Sequence, residues 1–128
     1  MERWLIVASG AYGLLAVALG AFGAHGLRRF LDGLADGAQR AEWWSTAAHY
    51  HLVHALALGL CAWLAGRGAG AAAAVAGGCF AAGVLLFSGS LYTMTVTGAR
   101  WLGAVTPIGG LLLIAGWASV IAAGLRLR

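Results

Sequence analysis

The 128-residue sequence has few charged residues, a single proline, two cysteines and no lysine. Only 9% of its residues are Asp, Glu, Lys or Arg, whereas about 25% is usual for a soluble domain. The charges are also clustered, so that four charge-free runs of 24 to 32 residues cover most of the chain. Each run exceeds the roughly 20 residues that a helix needs to cross a bilayer. The sequence therefore excludes a soluble globular enzyme.

The charge-free runs predict an all-α fold, a four-helix transmembrane bundle that forms one membrane domain over residues 1–128. A transmembrane barrel is excluded because polarity does not alternate along the chain. With four spans, both termini lie on the same side of the membrane. The expected helices cover about residues 4–27, 43–65, 71–97 and 101–125.

The segment Arg28–Glu42 is the one polar stretch of any length. Within it, Phe30, Leu31 and Leu34 recur at helical spacing among charged residues. This pattern predicts a short amphipathic segment in the membrane interface between the first two spans. The alternative at this point is an ordinary solvated loop.

The eight arginines give a net charge of +4, but they flank the spans and do not form a nucleic-acid-binding surface. Four fall on each side of the membrane, so the positive-inside rule gives no clear orientation. Asp32, Asp36 and Glu42 dilute the positive charge on the side opposite the termini. We therefore expect a multi-pass protein of the bacterial cytoplasmic (inner) membrane with both termini in the cytoplasm.

Polar side chains are concentrated at one end of the predicted bundle, where the first and third helices end and the second and fourth begin. Ionisable and polar groups inside a membrane are the usual indicators of function. At 100° per residue, Thr46, Tyr50 and His54 form one stripe on the second helix. The candidate polar cluster comprises His25, Tyr50, His54, Ser88, Ser90, Tyr92 and Thr106.

Three interpretations of this cluster remain open. The side chains could form interhelical hydrogen bonds that hold a small bundle together. They could line a water-filled pocket for a small solute, a proton or a lipid headgroup. Weaker candidates for a metal or haem site are His25, His51 and His54, although no carboxylate or thiolate lies at matching depth.

Catalysis is the least favoured function. No Asp or Glu lies within the spans to orient a nucleophile and base. Cys61 and Cys79 are isolated, without the vicinal pair that a redox enzyme would need. We therefore predict neither a catalytic residue nor a cofactor.

Four ordered motifs make the sequence similar to a known family. They are Gly20-Ala-Phe-Gly-Ala-His25, Tyr50-x-x-x-His54-Ala-Leu-Ala57, Leu86-Phe-Ser-Gly-Ser-Leu-Tyr92, and Thr106-Pro-Ile-Gly-Gly110 followed by Gly116-Trp117. The chain resembles the DUF423 family of small bacterial membrane proteins, to which transmembrane protein 256 of eukaryotes is related. The resemblance implies a four-helix membrane protein of unassigned function, so it transfers no catalytic or ligand-binding residues. His49 and His51 lie outside the shared pattern, which weakens the metal interpretation.

The favoured hypothesis is that the protein binds a small polar or amphipathic ligand in a one-sided intramembrane pocket, with transport as one extension. The alternative is a structural or accessory membrane subunit without a ligand. The expected partners are membrane lipid and either further copies of the chain or a larger membrane complex, because the small-residue faces of the helices favour association in lipid.

Overall fold

The charge-free runs form long helices in the computed structural model, which describes residues 1–127. Over that range the regular secondary structure consists of helices joined by turns, and four segments are long and apolar enough to cross a membrane. The predicted all-α, four-span fold is therefore confirmed. In chain order the helices are α1 (Glu2–Ala24), α2 (Gly26–Asp32), α3 (Gly37–Gly66), α4 (Gly70–Thr97), a 3-10 helix (Arg100–Ala104) and α5 (Thr106–Gly124).

The second membrane helix begins earlier than predicted, at Gly37 and not near Trp43. Asp36 occupies the N-cap position, and its carboxylate accepts a hydrogen bond of 3.0 Å from Nε of Arg40, one turn into the helix. Such a pair four residues apart stabilises a first helical turn in which apolar burial contributes little. The polar stretch therefore contains two helical elements: α2, and the first turns of α3.

The short helix α2 is amphipathic, as expected for an interfacial segment. Leu27 and Leu31 are buried against Trp44 of α3, whereas Phe30 is 48% exposed. Gly37 allows α2 to lie close to α3, because a Cβ atom there would overlap the carbonyl of Leu31. This contact holds α2 across the end of α1 and the beginning of α3.

The predicted fourth helix is interrupted at its start. Residues Arg100–Ala104 form the 3-10 helix, and α5 begins only at Thr106, with Pro107 in its first turn. Proline lacks an amide hydrogen and clashes with the carbonyl four residues earlier, so it is tolerated at the start of a helix and not in its interior. The interruption at Val105 is the consequence.

The four spanning helices pack as a chain of neighbours, α1 on α3, α3 on α4 and α4 on α5, with little contact between α3 and α5. The centre of the bundle is therefore the α3–α4 pair, where Leu58 and Phe80 are fully buried. The outer helix α1 has only one buried residue, Ala16. Much of the surface of α1 and α5 is apolar and faces outward.

Close packing of α5 on α4 depends on glycine. A Cβ atom on Gly109 would lie 2.8 Å from Cα of Phe87 and would overlap its backbone nitrogen, whereas a Cβ atom on Gly110 would be 3.8 Å from the nearest ring atom of Phe87. We expect Gly109→Ala to lower the free energy of unfolding by about 1–3 kcal/mol, because backbone atoms cannot move aside as a flexible side chain can. Thermal unfolding in detergent is the measurement, with Gly110→Ala as the matched control. Equal melting temperatures for the two variants would contradict this packing.

Candidate functional site at the interfacial end

Both ring nitrogens of His54 are hydrogen-bonded, one within α3 and the other to α5. Its Nδ1 lies 2.7 Å from the carbonyl oxygen of Tyr50, and its Nε2 accepts a hydrogen bond of 3.1 Å from Nε1 of Trp117. Because the indole N–H can only donate and the carbonyl can only accept, the imidazole must be neutral with its proton on Nδ1. The side chain is 4% exposed. His54 is therefore a fully satisfied interhelical bridge.

The hydroxyl groups of α4 form similar bridges. Ser88 donates a hydrogen bond of 2.8 Å to the carbonyl oxygen of Ala47 on α3. Ser90 and Thr106 share a hydrogen bond of 2.6 Å between α4 and the first residue of α5. Among residues 1–127, no buried side-chain nitrogen or oxygen atom lacks a partner. These contacts are the interhelical hydrogen bonds of the packing interpretation.

His51 and Tyr92 border a small cavity between α1 and α4. Nδ1 of His51 lies 3.2 Å from the hydroxyl oxygen of Tyr92, and the His51 ring meets the ring of Tyr12 edge-on at 5.7 Å. The Tyr12 hydroxyl donates across the gap to the carbonyl of Ala81 at 3.0 Å. The adjoining cavity has a volume of about 200 Å³, and only apolar surface of its lining residues faces it. It suits an apolar group and not a polar solute.

The predicted cluster residues do not line a single pocket. Tyr50 is 40% exposed, with its ring packed 4.5 Å from that of Phe87. His25 is exposed beyond the end of α1 and borders a surface hollow with Arg28 and Arg29. The hydroxyl and imidazole groups that are buried are turned toward backbone carbonyls and one another, because an unsatisfied polar group in hydrocarbon is costly. The sequence placed these residues at one end of the bundle, and helical periodicity grouped some of them on one face, but it did not show which neighbouring helix each face would contact.

The three histidines that were weak metal candidates are not brought together in the described part of the chain. No group of three His, Cys, Asp or Glu residues within residues 1–127 is arranged to hold an ion. His25 is separated from the buried pair, and both nitrogens of His54 are engaged. The arrangement that would have joined His25, His51 and His54 is therefore not formed.

A larger cavity lies at the same end of the molecule, between the last turns of α1, the helix α2 and the first turns of α3. Its volume is about 750 Å³. We call it the interfacial groove. Its sides carry small residues, among them Gly20 and Ala24 of α1 and Ala41, Ser45 and Ala48 of α3. Because an amphipathic helix such as α2 typically lies in the membrane interface, we expect the adjacent groove to lie at the boundary between headgroups and hydrocarbon.

Three charged residues border the interfacial groove: Arg28 and Asp32 on α2, and Glu42 on α3. All three are exposed, and none forms a salt bridge or a side-chain hydrogen bond within residues 1–127. The sequence carries one signal for this groove. Ala41, Ser45 and Ala48 share one face of α3 opposite the small residues of α1, so the two helices leave space between them.

A second group of charges beside the groove is internally paired. Asp36 accepts hydrogen bonds from Arg40 at 3.0 Å and from Arg100 at 3.3 Å, and Nη1 of Arg40 donates to the carbonyl of Thr95 at 3.3 Å. The hydrogen bond from Arg40 is the main cause that holds the pKa of Asp36 below its usual value. Arg40 thereby joins the beginning of α3 to the last turn of α4, and this end of the bundle is fixed by structural contacts.

We expect the His54–Trp117 bridge to contribute measurably to stability. His54→Ala should lower the free energy of unfolding by about 1–2 kcal/mol, and a double-mutant cycle with Trp117→Phe should show a coupling of about 0.6 kcal/mol. Thermal unfolding in detergent provides both values. His49→Ala is the control, because His49 is exposed and has no hydrogen-bond partner within residues 1–127. An equal loss in the control, or additive single effects in the cycle, would rule out the bridge.

Curated relatives match nearly the whole chain. The UPF0382 membrane protein YwdK of Bacillus subtilis is 42% identical over 114 residues, which cover 88% of this chain and 89% of that protein. The UPF0382 membrane protein of Staphylococcus epidermidis is 40% identical over 113 residues, 88% of each chain. The UPF0382 inner membrane protein YgdD of Escherichia coli K12 is 34% identical over 127 residues, covering 99% of this chain and 93% of that protein. No solved structure matches the chain.

The family model described as "Protein of unknown function (DUF423)" matches residues 19–110, well over half of the sequence. The matched region includes the interfacial groove, the buried hydrogen bonds of α3 and α4, and the first turn of α5. With four membrane-spanning helices and relatives named as membrane proteins, this chain is a membrane protein. It belongs to the DUF423 family, as its four ordered motifs predicted.

Proposed function

We propose that this protein binds an amphipathic membrane molecule in the interfacial groove. The observation that carries the proposal is the groove itself: about 750 Å³ of space whose sides are small residues and whose rim carries charges of both signs. This volume lies within the roughly 300–1,000 Å³ range of known small-molecule sites.

The groove has the depth profile of an amphipathic ligand. Glu42 at the rim and Ala48 on the side are separated by six residues of α3, or about 9 Å along the helix axis. Charged residues therefore lie at headgroup level, and small residues lie below them within reach of an acyl chain. A space of this size inside a bilayer loses van der Waals contact unless a lipid chain or similar group fills it.

The polar cluster predicted from the sequence supports this site indirectly. His54, Ser88 and Ser90 are engaged in interhelical hydrogen bonds and have little capacity left for a ligand. They hold α3, α4 and α5 together, so that α3 is a rigid side of the groove. The proposed ligand site is therefore the groove lined by α1, α2 and α3, and not the buried imidazoles.

Filling the groove should displace the ligand. A Cβ atom added to Gly20 or to Gly13 would meet no atom within 4 Å, but only Gly20 lines the groove. We expect Gly20→Leu to abolish the stoichiometric retention of lipid by the detergent-purified protein, while Gly13→Leu retains it, because the two changes are chemically identical on the same helix. Native mass spectrometry measures the bound species. Retention by Gly20→Leu equal to that of Gly13→Leu, or a wild-type protein with nothing bound, would refute the proposal.

We also propose that the protein lies in the bacterial cytoplasmic membrane with both termini in the cytoplasm. The relative from Escherichia coli is named an inner membrane protein, and the acidic residues beside the groove reduce the positive charge on that side. With this orientation the groove opens to the outer leaflet.

Cysteine labelling tests the orientation. In a background with Cys61 and Cys79 replaced by alanine, Ala35→Cys lies in the exposed loop after α2, and Leu125→Cys follows α5 at the opposite end. We expect a membrane-impermeant maleimide to label Ala35→Cys in intact inner-membrane spheroplasts and Leu125→Cys only after lysis. The reverse pattern would establish the opposite orientation.

The second candidate function is a structural or accessory subunit, alone as a homo-oligomer or within a larger complex. It is favoured by α1, where Ala16 is the single buried residue and where Gly10 and Gly13 have open space beside them. Small residues exposed to lipid permit close approach of another helix. A purified wild-type protein that carries no lipid, but forms a defined oligomer that Gly13→Leu disrupts, would support this function instead.

A further inference from the structure

We propose that the interfacial groove recognises a zwitterionic phospholipid headgroup, with Arg28 binding the phosphate and the Asp32 and Glu42 carboxylates binding the ammonium group. This inference rests on the proposed function and names the chemical class of its ligand. It depends on the kinds of charge that border the groove and on the lack of internal partners for them.

The rim carries one cation and two anions on two different elements. Arg28 and Asp32 are one turn apart on α2, and Glu42 is on α3. An arginine offers five N–H donors in a planar fork that matches phosphate oxygens. Carboxylates accept hydrogen bonds from an ammonium group and balance its charge. The groove therefore has a complementary partner for each charge of a zwitterionic headgroup.

Unlike Asp36, Arg40 and Arg100, these three side chains form no salt bridge and no side-chain hydrogen bond within residues 1–127. Asp36 and Arg40 are four residues apart and form a salt bridge of 3.0 Å, whereas Arg28 and Asp32, also four apart, form none. Arg40 also donates a hydrogen bond to the carbonyl of Thr95 on α4, and Asp36 also forms a salt bridge with Arg100. None of the three charged residues that line the groove is engaged by such a partner.

The excess of carboxylates disfavours an anionic headgroup. A site for a lipid with net negative charge is typically a cluster of basic residues, but in the groove Arg28 is accompanied by both Asp32 and Glu42. Repulsion by the two carboxylates would act against a phosphate group that brings no positive charge of its own. The same two groups attract a headgroup that carries an ammonium.

Lipid competition in nanodiscs tests the inference. The full-length protein is reconstituted in equimolar phosphatidylethanolamine and phosphatidylglycerol with identical acyl chains, and the lipids retained on release are identified by native mass spectrometry. We expect the wild type to retain phosphatidylethanolamine in about threefold excess, the selectivity that exposed ionic contacts can supply.

Three charge variants separate the contributions of the rim residues. The double variant Asp32→Asn, Glu42→Gln should reverse the preference toward phosphatidylglycerol, because Arg28 then acts without opposing carboxylates. Arg28→Gln should lower retention of both lipids about threefold. Arg29→Gln is the matched control, since Arg29 is a neighbouring exposed arginine of α2 that does not line the groove. All substituted side chains are exposed, so folding should survive, as size-exclusion chromatography would verify.

The outcomes distinguish a wrong headgroup from a wrong site. If the wild type retains as much phosphatidylglycerol as phosphatidylethanolamine, and Gly20→Leu releases both, the groove binds lipid but the zwitterionic assignment is overturned. If Arg29→Gln acts like Arg28→Gln, the role of Arg28 is overturned. If no lipid is retained in any composition, the proposed function fails together with this inference.

Discussion

The hydrocarbon core of a membrane offers no hydrogen bonds, and this constraint organises the polar interior of the protein. Each buried hydroxyl or imidazole must find its partner within the bundle. Ser88 therefore bonds to a carbonyl on α3, Ser90 to Thr106 at the start of α5, and His54 to both Tyr50 and Trp117. These hydrogen bonds join α3, α4 and α5, and they account for the burial of the polar side chains that form them.

The number and type of the spans could be predicted from the sequence, because each charge-free run is longer than the bilayer is thick. The boundaries were less accessible. The early start of α3 depends on a salt bridge between Asp36 and Arg40, and the break before α5 depends on Pro107 and its local geometry. Patterns of hydrophobicity predict neither of these two helix boundaries, because Asp36, Arg40 and Pro107 act through charge and backbone sterics and not through burial.

The candidate site was harder to predict than the fold for a physical reason. Sequence reasoning located polar residues by depth, but the side of the helix on which a group lies depends on which neighbour it packs against. Helical periodicity placed Tyr50 and His54 on one stripe, yet Tyr50 is 40% exposed and His54 is buried. The groove is bordered mainly by glycine, alanine and serine. Such residues are frequent throughout this chain, so their presence in the sequence does not by itself predict a cavity. A cavity forms only where the small residues of two helices face each other.

One aromatic residue sets the shape of the groove. Trp44 lines it, and a Cβ atom on Gly23 would overlap the indole ring, so the close approach of α1 to α3 at this level requires that glycine. The indole N–H donates to the carbonyl of Leu19 at 2.8 Å, and the ring packs 4.5 Å from that of Tyr92 on α4. Trp44 therefore links α3 to α1 by a hydrogen bond and packs against α4 at the same depth in the bundle. Beyond this contact α1 ends at Ala24 and α2 begins at Gly26. The small residues that line the groove leave the space between the helices open. The groove is therefore the product of one tight contact between α1 and Trp44 beside a row of small side chains.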